Sequence, residues 1–191
     1  MTCGLVLAAG DGSRFGGEGS KLLAELDGRP LLEHAVRAQT SVSALERVVV
    51  VLGARAEEVR AAVDFGRAET VVCEAWADGQ AASLRCGVAA LADAERVIVT
   101  LGDQPGVTPA LIERFLDAPP ASRAVYRGRP GHPVVLGPTE LSAVAQLDGD
   151  TGARALLRGG QEIECADLAD GRDVDTLEDL EAIRREARAV V

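Results

Sequence analysis

Apolar positions along the chain follow two different periods. Short, continuous aliphatic runs occupy positions 4–8, 47–52, 70–73 and 97–101, each about the length of a buried strand. Between them, apolar residues return every three to four positions at 31–38, 56–63 and 83–91, and a further helical stretch opens at Thr108-Pro109. Strands that alternate with helices in this way build βαβ units. The pattern therefore predicts a mostly parallel sheet with helices on both faces, a three-layer α/β/α arrangement. After Pro119-Pro120 the pattern changes to short extended pieces at 124–126 and 133–136, punctuated by glycines and prolines. A last helix is predicted over 177–189, announced by Asp175-Thr176 and by Glu178 and Asp179 in its first turn.

The chain has 191 residues, 47% of them hydrophobic, which suffices for one domain spanning 1–191. Net charge is −10, and the acidic residues are scattered. Such a surface lacks the basic footprint of a nucleic-acid binder, so no polymeric nucleic acid is expected as a partner. A small phosphorylated ligand remains compatible, provided a few cations and backbone amides converge locally. Cys3, Cys73, Cys86 and Cys165 form no C-x-x-C pair, and there are only two histidines. That excludes both a zinc cluster and a disulfide framework as the expected reading. No basic leader and no membrane-length apolar run is present, so a cytoplasmic location without membrane contact is expected.

Two segments carry candidate chemistry. The first strand runs into Leu7-Ala8-Ala9-Gly10-Asp11-Gly12-Ser13-Arg14, followed by Gly17-Glu18-Gly19-Ser20-Lys21. Glycines immediately after a strand let backbone amides approach phosphates closely. The spacing fits neither the dinucleotide fingerprint nor a Walker A loop. Arg14 and Lys21 instead read as two cations reaching a triphosphate, one a planar fork and the other a point charge. Lys21 is the only lysine beside nineteen arginines, which suggests that an ammonium is specifically needed there. The competing reading is a solvated surface turn. The second segment, Leu101-Gly102-Asp103-Gln104-Pro105, ends an apolar strand with a carboxylate at the edge where open α/β sheets place ligands. Asp103 is the first candidate for a Mg²⁺ ligand, with a turn or helix-cap aspartate as the alternative.

Several further stretches fall in the order of a known family: Lys21-Leu22-Leu23, Gly28-Arg29-Pro30-Leu31-Leu32, Gly131-His132-Pro133-Val134, Gly149-Asp150-Thr151-Gly152-Ala153-Arg154 and Asp173-Val174-Asp175-Thr176. Together with the two segments above, the chain resembles the MobA-like NTP transferases, and among them the molybdenum cofactor cytidylyltransferases. The resemblance implies a Rossmann-like, nucleotide-diphospho-sugar-transferase-like fold, with a nucleotide-binding half at 1–118 and an acceptor-binding half at 119–191. It places Leu7, Ala8, Ala9, Gly10, Gly12, Ser13, Gly79 and Ser83 on the nucleotide and gives Arg14, Lys21 and Asp103 catalytic roles. Gln104, His132, Asp150 and Arg154 fall on the acceptor side. Asp103 would hold Mg²⁺, with Asp175 or Asp173 completing the site. The alternative readings are Asp175 as the cap of the last helix, His132 as a structural residue between strands, and Asp150 as the start of a helix with Arg154 solvated.

The implied reaction is transfer of a nucleoside monophosphate from an NTP, with CTP the first candidate and GTP or another NTP left open, to a phosphorylated acceptor such as molybdopterin, with a molybdenum hydroxylase or its maturation factor as a partner. Two departures bear on this. The loop between Arg14 and Lys21 is longer than usual through Gly17-Glu18-Gly19. A loop that is serine-rich in the cytidylyltransferases reads Asp78-Gly79-Gln80-Ala81-Ala82-Ser83-Leu84. That drift leaves open an NAD(P)H-dependent reductase of the nicotine-blue type on the same scaffold, or a non-catalytic nucleotide-binding partner of molybdoenzyme maturation. Trp76 stands beside the altered loop, where it serves either as packing or as an aromatic wall for a base.

Overall fold

The structure is a computed structural model that describes residues 1–16 and 19–189. The chain opens with β1 (Thr2–Ala8), a short hairpin of β2 (Glu25–Leu26) and β3 (Arg29–Pro30), and α1 (Leu31–Thr40). It continues through β4 (Arg47–Leu52), α2 (Ala56–Ala62), β5 (Glu69–Val72), α3 (Gln80–Ala90), β6 (Arg96–Leu101) and α4 (Pro109–Glu113). The remainder forms β7 (Arg123–Tyr126), β8 (Arg129–Leu136), α5 (Pro138–Ala143), β9 (Glu162–Glu164) and α6 (Leu177–Ala189).

Seven strands make one sheet in the order β5-β4-β1-β6-β8-β7-β9. β5, β4, β1 and β6 run parallel; β8 is antiparallel to both of its neighbours, and β9 is parallel to β7. The central strand β1 is buried on both faces. Leu5 and Leu7 meet Ala81 and Leu84 of α3, whereas Val6 and Ala8 meet Leu32, Ala35 and Val36 of α1. α2 contributes Val59 on the α1 side, and α4 adds Leu111 and Ile112 to a neighbouring cluster with Ile98 and Val135. The expected three-layer, mostly parallel α/β/α architecture is therefore what the chain adopts.

The strand order creates the place for a ligand. From β1 the chain moves outward to β4 and β5, then crosses back to set β6 on the other side of β1. At that switch the loops leaving β1 and β6 diverge and leave a crevice above the carboxyl ends of the strands. The loops carry the glycine-rich segment and Asp103. Among the described residues, no helix is long and apolar enough to cross a membrane.

Two element ends differ from the pattern by more than two residues. The helix expected from Ser83 begins at Gln80, because Gly79 turns the chain at φ +104 and the Ala81 amide is anchored on the Gly149 carbonyl at 3.0 Å. β8 starts four residues before the expected 133, running through Pro130 and Pro133 because β7 folds back on it as a hairpin. α5 and β9 were not foreseen; they are short and largely polar, and carry little periodic signal. The fold also sets Cys73 and Cys86, distant in sequence, side by side as free thiols with sulfurs 2.6 Å apart. Burial, with a smaller contribution from Cys86, pushes the Cys73 thiol up to about 11.

Candidate active site

The crevice holds a cavity of about 440 Å³. All eleven residues expected to touch a nucleotide line it: Leu7, Ala8, Ala9, Gly10, Gly12, Ser13, Arg14, Lys21, Gly79, Ser83 and Asp103. Asp11, Leu22, Ala77, Gln80 and Leu101 also line this wall without a distinguishing signal in the sequence, and Trp76, open between packing and an aromatic wall in sequence, lines it too. Local backbone explains how the loop works. Gly12 sits at φ +66, and a Cβ there would lie 3.0 Å from Cγ of Lys21, so glycine both permits the turn and leaves room for the lysine stem. Asp11 caps the turn by accepting the Ser13 amide at 3.0 Å. The additional loop residues Gly17 and Glu18 lie outside the described residues.

Four charged side chains meet at one end of this cavity. Lys21 Nζ lies 2.6 Å from Asp103 Oδ2 and 3.1 Å from Asp175 Oδ1. Arg14 grips Asp175 from the other side, with Nη1 3.1 Å from Oδ2 and Nη2 3.2 Å from Oδ1. Lys21 and Asp103 are largely buried, at 11% and 19% side-chain exposure, whereas Arg14 is 76% exposed. Burial pulls the Lys21 ammonium down, but attraction to Asp103 and Asp175 outweighs it and leaves the pKa raised, so Lys21 is charged at neutral pH.

Both capping alternatives resolve. α4 is capped by Thr108, whose side chain accepts the Leu111 amide at 3.2 Å, so Asp103 is not its cap. At α6 the Thr176 hydroxyl accepts the Asp179 amide, and the Asp179 carboxylate accepts the Thr176 amide at 2.7 Å in return. Asp175 is thereby left to point at Lys21 and Arg14. The C-terminal segment is tied to the strand tip by a bond from the Val174 amide to the Asp103 carbonyl at 2.9 Å.

A second cavity, about 260 Å³, adjoins the first and is lined by all four expected acceptor residues, Gln104, His132, Asp150 and Arg154. Asp150, Gln80 and Leu101 border both cavities. A short 3-10 turn, Ala153–Leu156, is preceded by Gly152, so Asp150 does not start a helix. Gln104 is 3% exposed; its Nε2 bonds Asp173 Oδ1 at 2.5 Å, and its buried Oε1 has no partner among the described residues. Burial, opposed by the Gln104 bond, leaves the Asp173 carboxyl above its ordinary range. Burial likewise pushes His132 down to about 4 against a weaker upward pull from Asp103, so its imidazole is neutral at pH 7. Asp173 therefore lies with Gln104 in the second cavity, and Asp175 is the carboxylate that stands with Asp103.

The donor set fits a divalent cation of the oxygen-seeking kind. Asp103 Oδ1 is buried with no hydrogen-bond partner among the described residues, which is costly for a carboxylate unless a ligand satisfies it. Asp103 and Asp175 both point at Lys21 Nζ, so the two carboxylates converge on one spot where a divalent ion could take the place of the ammonium. Among the described residues, no group of three or more histidine, cysteine or carboxylate side chains could hold a metal unaided.

Fold and site together define an α/β protein with a cavity of about 440 Å³ at its strand switch point, furnished with paired cations and paired carboxylates. The chain belongs to the MobA-like NTP transferase domain family, whose model matches residues 4–166. It is 36% identical to nicotine blue oxidoreductase of Paenarthrobacter nicotinovorans over 93% of each chain. Among solved structures it resembles Rv0371c of Mycobacterium tuberculosis at 31% identity, with a TM-score of 0.80 over 96% of this chain and 97% of that one. Rv0371c has also been solved as a manganese complex, which matches with a TM-score of 0.77. A nucleotidyl transferase of Methanothermobacter, Mth528, matches over 100% of this chain and 99% of its own at 26% identity and a TM-score of 0.84. The protein is a nucleotidyltransferase of this family.

Proposed function

We propose that the protein transfers a cytidylyl group from CTP to a small phosphorylated acceptor of the molybdopterin type, releasing pyrophosphate. The observation that carries this reading is the meeting of Lys21, Arg14, Asp103 and Asp175 at one end of a nucleotide-sized cavity, with a second cavity alongside. An acceptor phosphate oxygen attacks the α-phosphorus from the second cavity; the bond from that phosphorus to the bridging oxygen breaks, and pyrophosphate leaves with the electron pair. The attacking oxygen is already anionic, so no general base is needed, and neutral His132 fits a role in binding rather than proton transfer. Catalysis is then mainly positioning and charge neutralisation.

The loop from 7 to 14 holds base, ribose and phosphates, while Lys21 and Arg14 meet the growing charge on the leaving pyrophosphate. Asp103 and Asp175 would hold Mg²⁺, which would supply charge neutralisation to the reacting phosphates; that Rv0371c was solved as a manganese complex favours a divalent ion as the cofactor. Arg154 and Gln104 bind the acceptor, and Asp150 on the shared wall joins the two subsites. The 1–118 segment supplies most of the nucleotide wall and 119–191 most of the acceptor wall, with Asp150 and Asp175 crossing to the nucleotide cavity. The relatives named above lend no support to a molybdenum-hydroxylase partner, so the reading is confined to the small-molecule acceptor.

The likeness to nicotine blue oxidoreductase favours a second reading, reduction by a nicotinamide nucleotide. Hydride transfer has no use for two carboxylates placed against the polyphosphate cations, and this ranks the transfer reading first. One experiment separates them: each NTP with Mg²⁺ and a molybdopterin acceptor is assayed for pyrophosphate release, beside a parallel assay of NAD(P)H oxidation. Pyrophosphate release with CTP above the other NTPs is expected. NAD(P)H oxidation with no pyrophosphate from any NTP would replace the first reading by the second. Trp76 is the only tryptophan and borders the nucleotide cavity, so its fluorescence should change as CTP enters.

A further inference from the structure

The same four charges that suit a metal-bound triphosphate are, without one, paired with each other. Three of the four carboxylate oxygens of Asp103 and Asp175 are engaged by Lys21 or Arg14; among the described residues, only Asp103 Oδ1 has no partner. Two unit positive charges face two unit negative charges, so the cluster is already neutral. A divalent cation entering alone would leave the cluster with an excess of positive charge beside a largely buried ammonium. It would also find too few protein ligands, since no third carboxylate or histidine stands with the pair among the described residues. A polyphosphate entering alone would meet two carboxylates whose cations it must strip away.

We infer that Lys21 is a resident counter-ion that holds the Asp103–Asp175 pair against free divalent cations until a nucleoside triphosphate draws the ammonium away. Metal and nucleotide then enter as one coupled event. This rests on the nucleotidyltransferase reading and adds a binding order to it. The lysine is built for the exchange: its stem lies against Gly12 of the phosphate loop, and its Nζ lies within reach of both carboxylates, so one side chain spans the two anion sets. When the ammonium and the Arg14 guanidinium move to phosphate oxygens, the freed carboxylate oxygens and the phosphates together complete an oxygen shell for the ion. Thermodynamic linkage makes the effect reciprocal: nucleotide tightens metal by the same factor that metal tightens nucleotide.

The test uses Mn²⁺ as the probe, with free Mn²⁺ read by electron paramagnetic resonance, and does not depend on turnover. Wild-type protein should bind Mn²⁺ weakly alone and at least about tenfold more tightly with the α,β-methylene analogue of CTP, after correction for the Mn²⁺–nucleotide complex in solution. Lys21→Met should bind Mn²⁺ alone at least about tenfold more tightly than wild type, and the coupling should shrink. Lys21→Gln is the second variant should the methionine form fail to fold by circular dichroism. Equal Mn²⁺ affinity in wild type with and without the analogue overturns the counter-ion role, as does wild-type affinity in a folded Lys21 variant. Calorimetry with the analogue separates the two ways of failing: nucleotide that binds without coupling removes only the counter-ion role, whereas no nucleotide binding under any condition removes the transferase reading with it.

Discussion

Asp103→Asn is expected to lower nucleotidyl transfer by about a thousandfold or more while the protein stays folded. The amide keeps the size of the side chain but loses the charge that faces both Lys21 and the proposed ion, and charge stabilisation of several kcal/mol corresponds to about three powers of ten. Stability should change far less. Lys21 keeps its contact with Asp175, the amide oxygen can still accept from Nζ where Oδ2 does at 2.6 Å, and the buried Oδ1 of Asp103 has no hydrogen bond to lose among the described residues. A melting temperature within about 8 °C of wild type, corresponding to about 2 kcal/mol for a domain of this size, would mark the loss as chemical. Steady-state pyrophosphate release together with thermal melting checks this; activity within about tenfold of wild type would remove Asp103 from the chemistry.

Lys21→Arg is expected to fail as a replacement despite keeping the charge, with kcat/KM reduced by about a hundredfold. The ammonium is a compact point charge held 2.6 Å and 3.1 Å from two carboxylates at 11% exposure, with its stem against Gly12. A planar guanidinium is wider, needs its donors in a fixed fork, and would crowd the phosphate loop. The effect should fall on kcat as well as on KM for the NTP, because the lost interaction strengthens as charge develops. Near-wild-type kinetics in Lys21→Arg would show that any cation suffices and that the solitary lysine carries no special requirement.

Much of the site could be read from the chain because its pieces are local. A strand that runs straight into glycines, and a strand that ends in a carboxylate, each announce a ligand-facing loop, and β1 and β6 are neighbours at the switch point. The lone lysine was visible by counting. What strand and loop patterns do not carry is the company these residues keep, which only the family resemblance brings together. Asp175 joins Lys21 because the chain returns from α5 and β9 and the Val174 amide docks on Asp103, a contact between distant segments that leaves no periodic trace. The choice between Asp173 and Asp175 was likewise open in sequence, since both stand in one short run. Geometry separates them by sending one to Gln104 and the other to Lys21.

The fold shows the same division. Long aliphatic runs placed β1, β4, β5 and β6 to within a residue or two. The orientation of β8 was not legible, because a period of two does not tell a parallel strand from an antiparallel one, and its prolines read as a loop. The start of α3 was hidden for a different reason. Asp78-Gly79-Gln80 reads as a turn, yet Gly79 at φ +104 packs so closely on Gly149 that a Cβ would lie 2.5 Å from the Gly149 carbonyl, and the helix begins at the next residue.

The most direct measurement is a crystal structure of the protein with Mn²⁺ and the α,β-methylene analogue of CTP, with manganese located by its anomalous signal. The account predicts one manganese peak bridging Asp103, Asp175 and phosphate oxygens, with Lys21 and Arg14 moved onto the triphosphate. A nucleotide bound away from the β1 loop, or manganese bound without contact to Asp103 while Lys21 still bridges the two carboxylates, would contradict it.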